Sequence, residues 1–453
     1  RRLEGRGRGG GRRGAAAAVR VLEGGMRSPC RKGTEVNVVR KLAQRETSRR
    51  ANRTFVRSNA HAKFKGYQLC ADLDTHDPKA SNLKLAFLKK RSKIMEIVAA
   101  KDVIFALAAS GVCVAYARGA KNRENIRLCL LNISPYEVIR SLFYNKANNS
   151  IITVSVYKHD NFSSLNCRST PLEYIKRKQP DAGFSIFETE SLKYPGFVEF
   201  DDVNGKVLTY SATDKVYKVW DLKNYTHLYS IHDKNIHEIK ISPGIMLLIY
   251  HKSPNSGQVP LKILSIENGD VLQSFKHQLH RSKKIDFIEQ FNEKLLVKQE
   301  NENLQIIDVR TGDRTEVSSS QFMTPSAFIF LYENQLFLTF RQRNVAVWNF
   351  RGEKVTSFED HTLWHPDCNT NNIYITSQQD LIISYCKQSD GSELGSINVS
   401  NILNGSCVAR VKTRQGNVKD RMALEDVTAL FYNEERNEIY TGNKDGKVHV
   451  WSN

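Results

Sequence analysis

The stretch "SATDKVYKVWDLKNYTHLYSIHD", residues 211–233, decides the fold. Its apolar residues alternate up to Trp220-Asp221, break at a short turn and alternate again, the pattern of two half-buried antiparallel strands. One such hairpin would be a local feature. A repeat of it would dictate an architecture, because each unit must bury its apolar face against the next.

The pattern recurs along the chain. In one register it reads "CLLNI" (129–133), "SIFET" (185–189), "KVWDL" (218–222), "KILSI" (262–266), "QIIDV" (305–309), "AVWNF" (346–350), "NVSNI" (398–402) and "HVWSN" (449–453). The third position of each is residue 131, 187, 220, 264, 307, 348, 400 or 451, and the residue after it is always polar. Three of the four tryptophans fall on that position. Glycine-bearing turns follow several copies, as in "ENGD", "RTGD", "FRGE" and "LNGS". Each copy has two strands before it and one after; in the fifth unit they read "IDFIEQF", "KLLVKQE", "LQIIDV" and "TEVSSS", here called a, b, c and d. The spacing brackets the period of about 40 to 45 residues expected of a four-stranded propeller blade.

Over about residues 93–453 these features resemble the WD-repeat (transducin-like) β-propeller family. The resemblance implies an all-β propeller of four-stranded blades, and the eight registered strands set the expected count at eight, with seven as the alternative. It also implies a hydrogen-bond set joining a His, a strand-b Ser or Thr, an Asp of the b–c turn and the strand-c Trp. Asp214 and Trp220 fit with Ser211 or Thr209, and Asp445 and Trp451 fit with Thr441, but the chain has no Gly-His dipeptide. The eighth c strand ends at Asn453, so "SKIMEIVAA" (92–100) is expected to close the ring as the outer strand of the last blade. The domain division that follows is a basic, largely disordered extension over 1–91 and a propeller over 92–453.

Charge separates the same two parts. Residues 1–93 hold 25 of the 67 Lys and Arg but 7 of the 48 Asp and Glu, so nearly all of the net charge of +19 lies there. Residues 1–25 are Gly/Arg/Ala-rich and cannot bury a core, and Met26 is expected to be the start. The Arg-rich segment 35–57 is expected to be a solvated tail, with nuclear import or nucleic-acid contact as the first alternative and an organelle transit peptide, which Glu35 and Glu46 count against, as the second. The 8 cysteines show no Cys-x-x-Cys pairing, which fits a reduced nuclear or cytoplasmic setting better than a secreted one. The apolar run 103–117 is shorter than the roughly 20 residues a membrane helix needs and reads as two buried strands.

The b–c and d–a loops of all blades emerge at one end of a propeller, the a–b and c–d turns at the other. The long segments 117–125, 158–182, 251–260 and 387–395 read as b–c loops, and 276–284, 359–372 and 411–426 as d–a loops. That puts every insertion on one face together with Arg118, Lys121, Arg123, Lys176, Arg177, Lys178, Arg281, Lys283, Lys284, Arg341, Arg343, Lys412, Arg414, Lys419 and Arg421. The opposite turns carry acids such as Asp201, Asp202, Glu293, Glu333, Glu434 and Glu435. No phosphate-binding loop, His-Glu-x-x-His or Gly-x-Ser-x-Gly motif occurs. The His361, His365, Asp367 and Cys368 group reads as loop polarity, and His227, His232 and His237 share no strand face. The expected protein is a non-enzymatic scaffold without cofactor, membrane or small-molecule substrate, binding an acidic protein partner; RNA is the alternative partner.

Overall fold

The computed structural model describes residues 60–76, 91–119, 125–187, 192, 196–251, 257–280, 282–341, 344–358, 372–387, 394–414 and 416–453. The described strands, β1 to β32 in chain order, form eight separate four-stranded antiparallel sheets. First strands of several neighbouring blades touch one another, which places the a strands at the centre of the ring. The eight-bladed expectation holds.

Burial follows position within each blade. In blade 4 the b strand β15 (Ile245–Tyr250) is buried along nearly its whole length, while the outer strand β17 (Val271–Gln278) is mostly exposed. A b strand is covered by sheets on both sides and so reads as a continuous apolar run; an outer strand needs only one apolar side. The c–d turns close on Gly269 and Gly352, at φ +76° and +79°. A Cβ at Gly269 would lie 2.6 Å from the Tyr229 ring, and one at Gly352 would lie 2.3 Å from Val317, so each turn needs glycine for its backbone and for its neighbour.

Six of the eight predicted c segments lie on c strands. The first two do not: "CLLNI" runs along and past the outer strand β5 (Ile126–Leu130), and "SIFET" begins on the outer strand β9 (Phe184–Ile186). The true c strands there are β4 (Cys113–Ala117) and β8 (Asn166–Pro171). Cross-strand register puts Tyr116 and Thr170 where blade 3 has Trp220, opposite Ile104 and Ile151 as Trp220 is opposite Val207. Without a tryptophan, and with a buried Arg168 in β8, these c strands lack the pattern that their outer neighbours imitate.

Ring closure also differs from expectation. The outer strand of blade 8 is β1 (Gln68–Asp74), which pairs with β32 (Lys447–Ser452) from Gln68↔Ser452 to Asp74↔Lys447. The proposed closing segment 92–100 contains β2 (Ile94–Ala100), the innermost strand of blade 1. The reason lies in the side chains: Ile94, Ile97, Val98 and Ala100 are all buried and need cover on both sides, whereas "QLCADLD" alternates and leaves one side to solvent. The propeller therefore begins before residue 92. A helical turn at 60–64 and the following Tyr67 dock into the groove between blades 7 and 8, where Phe64 is 3% exposed among Tyr432, Val408 and Trp451. Segment 35–57 and the His361 group lie outside the described residues.

Candidate functional site

The residues implied by the repeat pattern are struts. The indole N–H of Trp220 donates to Thr209 at 2.9 Å and that of Trp451 to Thr441 at 2.9 Å. Blade 6, which the sequence did not single out, has the same bond from Trp348 to Thr339 at 3.0 Å. Ser211, the other option for blade 3, instead donates to Asp214 at 2.9 Å. In blade 2 the equivalent Thr153 is buried with its hydroxyl unpartnered, because Thr170 offers no indole. These pairs tie strand c to strand b inside the sheets and are out of reach of a partner.

The predicted cations divide between two faces. Because the first two c strands lie earlier than expected, Arg118 and residues 172–183 belong to c–d segments, on the lower face with the a–b turns. Arg118 forks onto Glu438 with bonds of 3.1 Å and 3.1 Å, and Lys176 reaches Asp102 of the blade 1 a–b turn at 2.8 Å. Arg177 and Lys178 are exposed on that lower face. Lys283, Lys284, Arg341, Lys412, Arg414, Lys419 and Arg421 belong to b–c or d–a segments of the upper side. Lys121, Arg123, Arg281 and Arg343 lie outside the described residues. The expectation of a single basic face is thus corrected.

On the upper side the charges are not equal. Lys283 pairs with Glu302, which neutralises it. The densest group sits in the d–a segment between blades 7 and 8, whose helix Val418–Ala423 is capped by Asn417. Asp420 on its inner side is buried and accepts a two-bond fork from Arg414, at 2.7 Å and 2.9 Å. The Arg414 bond holds the Asp420 carboxyl below the usual carboxylate range, against the opposing effect of burial. Arg414 also donates to Gln68 of β1 at 3.0 Å, so the segment is braced against the closing strand. Ala423 and Leu424 anchor the end of the helix in the core between the two blades.

The outward side of this helix is then fixed by geometry. Val418 and Met422, four residues apart, face solvent at 67% and 52% exposure; Lys419 and Arg421 of the same helix and Lys412 of the segment before it are exposed too. Sequence reading picked out the cations and missed Val418 and Met422. Their i, i+4 spacing in "VKDRMA" was the available signal, hidden by treating 411–426 as loop.

Inside the ring, carboxylates are compensated. Lys240 of blade 4 bridges Glu238 at 2.7 Å and Glu289 of blade 5 at 2.8 Å, while burial pushes the Glu289 carboxyl up. Among the described residues no His/Cys/Asp/Glu group has metal-site geometry, and no helix is long and apolar enough to cross a membrane.

Comparison with known proteins places the chain. Residues 52–451 match the family described as "Domain of unknown function (DUF7899)". The chain belongs to this family. Its span takes in β1 and all eight blades, so the family unit is the closed ring rather than the part after residue 92. No curated protein matches. Similar solved structures include the computationally designed Ika8 protein, at 19% identity and TM-score 0.46, covering 80% of this chain and 97% of that one. BamB from Moraxella catarrhalis is 14% identical with TM-score 0.43, over 85% and 98% of the two chains. The C-terminal WD40 domain of Sif2 is 12% identical with TM-score 0.47, over 80% and 97%.

Proposed function

We propose that this propeller is a non-enzymatic, WD-repeat-like scaffold of the nucleus or cytoplasm that docks a protein partner bearing an acidic surface. The observation that carries the reading is the blade 7–8 helix: an exposed Val418/Met422 pair flanked along the helix by exposed Lys419 and Arg421, with exposed Lys412 in the same segment, on a backbone fixed by the buried Asp420–Arg414 fork. A rigid element that keeps apolar and cationic side chains together in solvent suits a partner with carboxylates around an apolar anchor. Cations already satisfied at Arg118, Lys176 and Lys283 add little.

Changing Lys412, Lys419 and Arg421 together to Glu tests this. Thermal unfolding stays unchanged, since all three are exposed, and capture of the partner from nuclease-treated extract falls at least tenfold. Unchanged capture would refute the reading. RNA binding is the second reading, favoured by the excess of Lys and Arg in residues 1–93. It requires nuclease-sensitive capture and an affinity for bare RNA whose logarithmic salt dependence becomes shallower by about one for each phosphate the variant no longer neutralises.

A further inference from the structure

A second surface lies at the upper mouth of the ring, in blade 2. The inner strand β6 (Glu137–Asn145) has a bulge between Ile139 and Ser141, and the bulge residue Arg140 is exposed. Bulges re-aim side chains out of a ladder. Above it, the b–c loop makes a helical turn at Lys158–Asp160 and then places Asn161 and Phe162 in the left-handed region, at φ 56° and 62°. Asn adopts that region readily; a bulky residue such as Phe does so at a cost. The loop is nevertheless well held: Phe162 N–H donates to Tyr157 at 3.0 Å, Lys158 N–H donates to Tyr136 at 2.9 Å, and the amides of Ser163 and Ser164 donate to Asp160 at 3.3 Å and 3.2 Å.

Burial does not explain this strain. The Phe162 ring is 43% exposed and lies over the Arg140 guanidinium at 5.8 Å; Tyr136 at 57% and Ile133 at 48% are exposed in the adjoining loop. Arg140 meets no carboxylate among the described residues. Aromatic and arginine side chains displayed together on a rigid frame are the residue types that dominate binding at protein interfaces. A strained residue that yields no burial fits a binding role better than a packing one.

We propose that Ile133, Tyr136, Arg140 and Phe162 form a docking site for an extended segment of a partner protein in which a carboxylate lies within two residues of a proline or aromatic side chain. Phe162 covers one face of the guanidinium, and its donor edges remain free to take the carboxylate. The flanking apolar residue packs on Phe162, Tyr136 and Ile133. This surface is separate from the blade 7–8 helix and does not depend on it.

The test is selection of a random phage-displayed peptide library on the immobilised full chain, with the Phe162→Gly variant as counter-selection. The expected peptides carry Asp or Glu within two positions of Pro or an aromatic residue. A fluorescein-labelled consensus peptide then binds at least tenfold more weakly to Phe162→Gly and to Arg140→Gln, and unchanged to the Lys412/Lys419/Arg421→Glu variant. Phe162→Gly keeps or raises the melting temperature, so weaker binding cannot be ascribed to an altered fold. Peptides lacking acids, equal binding by the variants, or no selected peptide would overturn the site. Phe162-dependent binding of labelled single-stranded oligouridine in place of peptide would overturn its protein partner.

Discussion

The seam where β1 closes the ring and the blade 2 loop that displays Phe162 use side chains in opposite ways. At the seam, Phe64 and Leu73 are buried, Trp451 is 1% exposed with its N–H bonded to Thr441, and His449 meets Asp72 at 2.7 Å. At the loop, a large aromatic residue is exposed on backbone that favours glycine. The first arrangement lowers the free energy of the fold; the second raises it slightly and leaves reactive surface in place. Residues serving stability are therefore paired and covered, and those serving recognition are held open at a cost.

Removing residues 60–76 is the strongest test of the contrast. It deletes the outer strand of blade 8, exposes Trp451 and removes Phe64 and Leu73 from the core, for a loss of about 5 kcal/mol or more in chemical denaturation. A shortened chain with an unaltered transition and no self-association would show that β1 is dispensable. Next in size, Thr441→Val should cost about 1–3 kcal/mol by leaving a buried indole N–H without an acceptor. The same change at Thr339 serves as its control in a blade built from contiguous chain, where Trp348 is 7% exposed against 1% for Trp451. A larger loss at Thr339 would mean that the seam is no more sensitive than an ordinary blade.

Phe162→Gly runs in the other direction, with stability rising by about 1 kcal/mol as the left-handed strain is relieved. If it lowers the melting temperature instead, the loop belongs with the seam as a structural element. The smallest effect concerns acid. The hydrogen bond from His449 holds the Asp72 carboxyl below its usual range against the opposing effect of burial, and Asp72 is half-exposed. A depressed carboxylate stabilises the fold above its ordinary pKa near ~4 and loses that contribution as pH falls through the folded value. Asp72→Asn should therefore cost under about 1 kcal/mol at neutral pH, and its melting curve should approach that of the unaltered protein below pH ~4. A gap that stays constant down to acid pH would show that the carboxylate's charge contributes nothing to the seam.

Six c strands were legible because each ends on a polar residue at a turn, preceded in five of them by a large apolar residue and in the seventh blade by Ser400. Blades 1 and 2 were misread because Tyr116 and Thr170 stand at the tryptophan position and the outer strands alternate in the same way. That one-strand error carried Arg118 and Lys176–Lys178 to the wrong face. Phe162 left no mark at all, since its role depends on a positive φ and on an arginine extruded by a bulge in another strand.

By itself the sequence determined an eightfold repeat of short strands, hence a propeller, and a concentration of positive charge in its first fifth. These are local properties: alternation, turn glycines and composition act over a few residues at a time. Only the tertiary structure decided which apolar strand closes the ring, which face each loop meets and which charges are already paired. Those outcomes depend on pairings between residues hundreds of positions apart, such as Gln68 with Ser452 and Arg118 with Glu438, and local pattern carries no information about them.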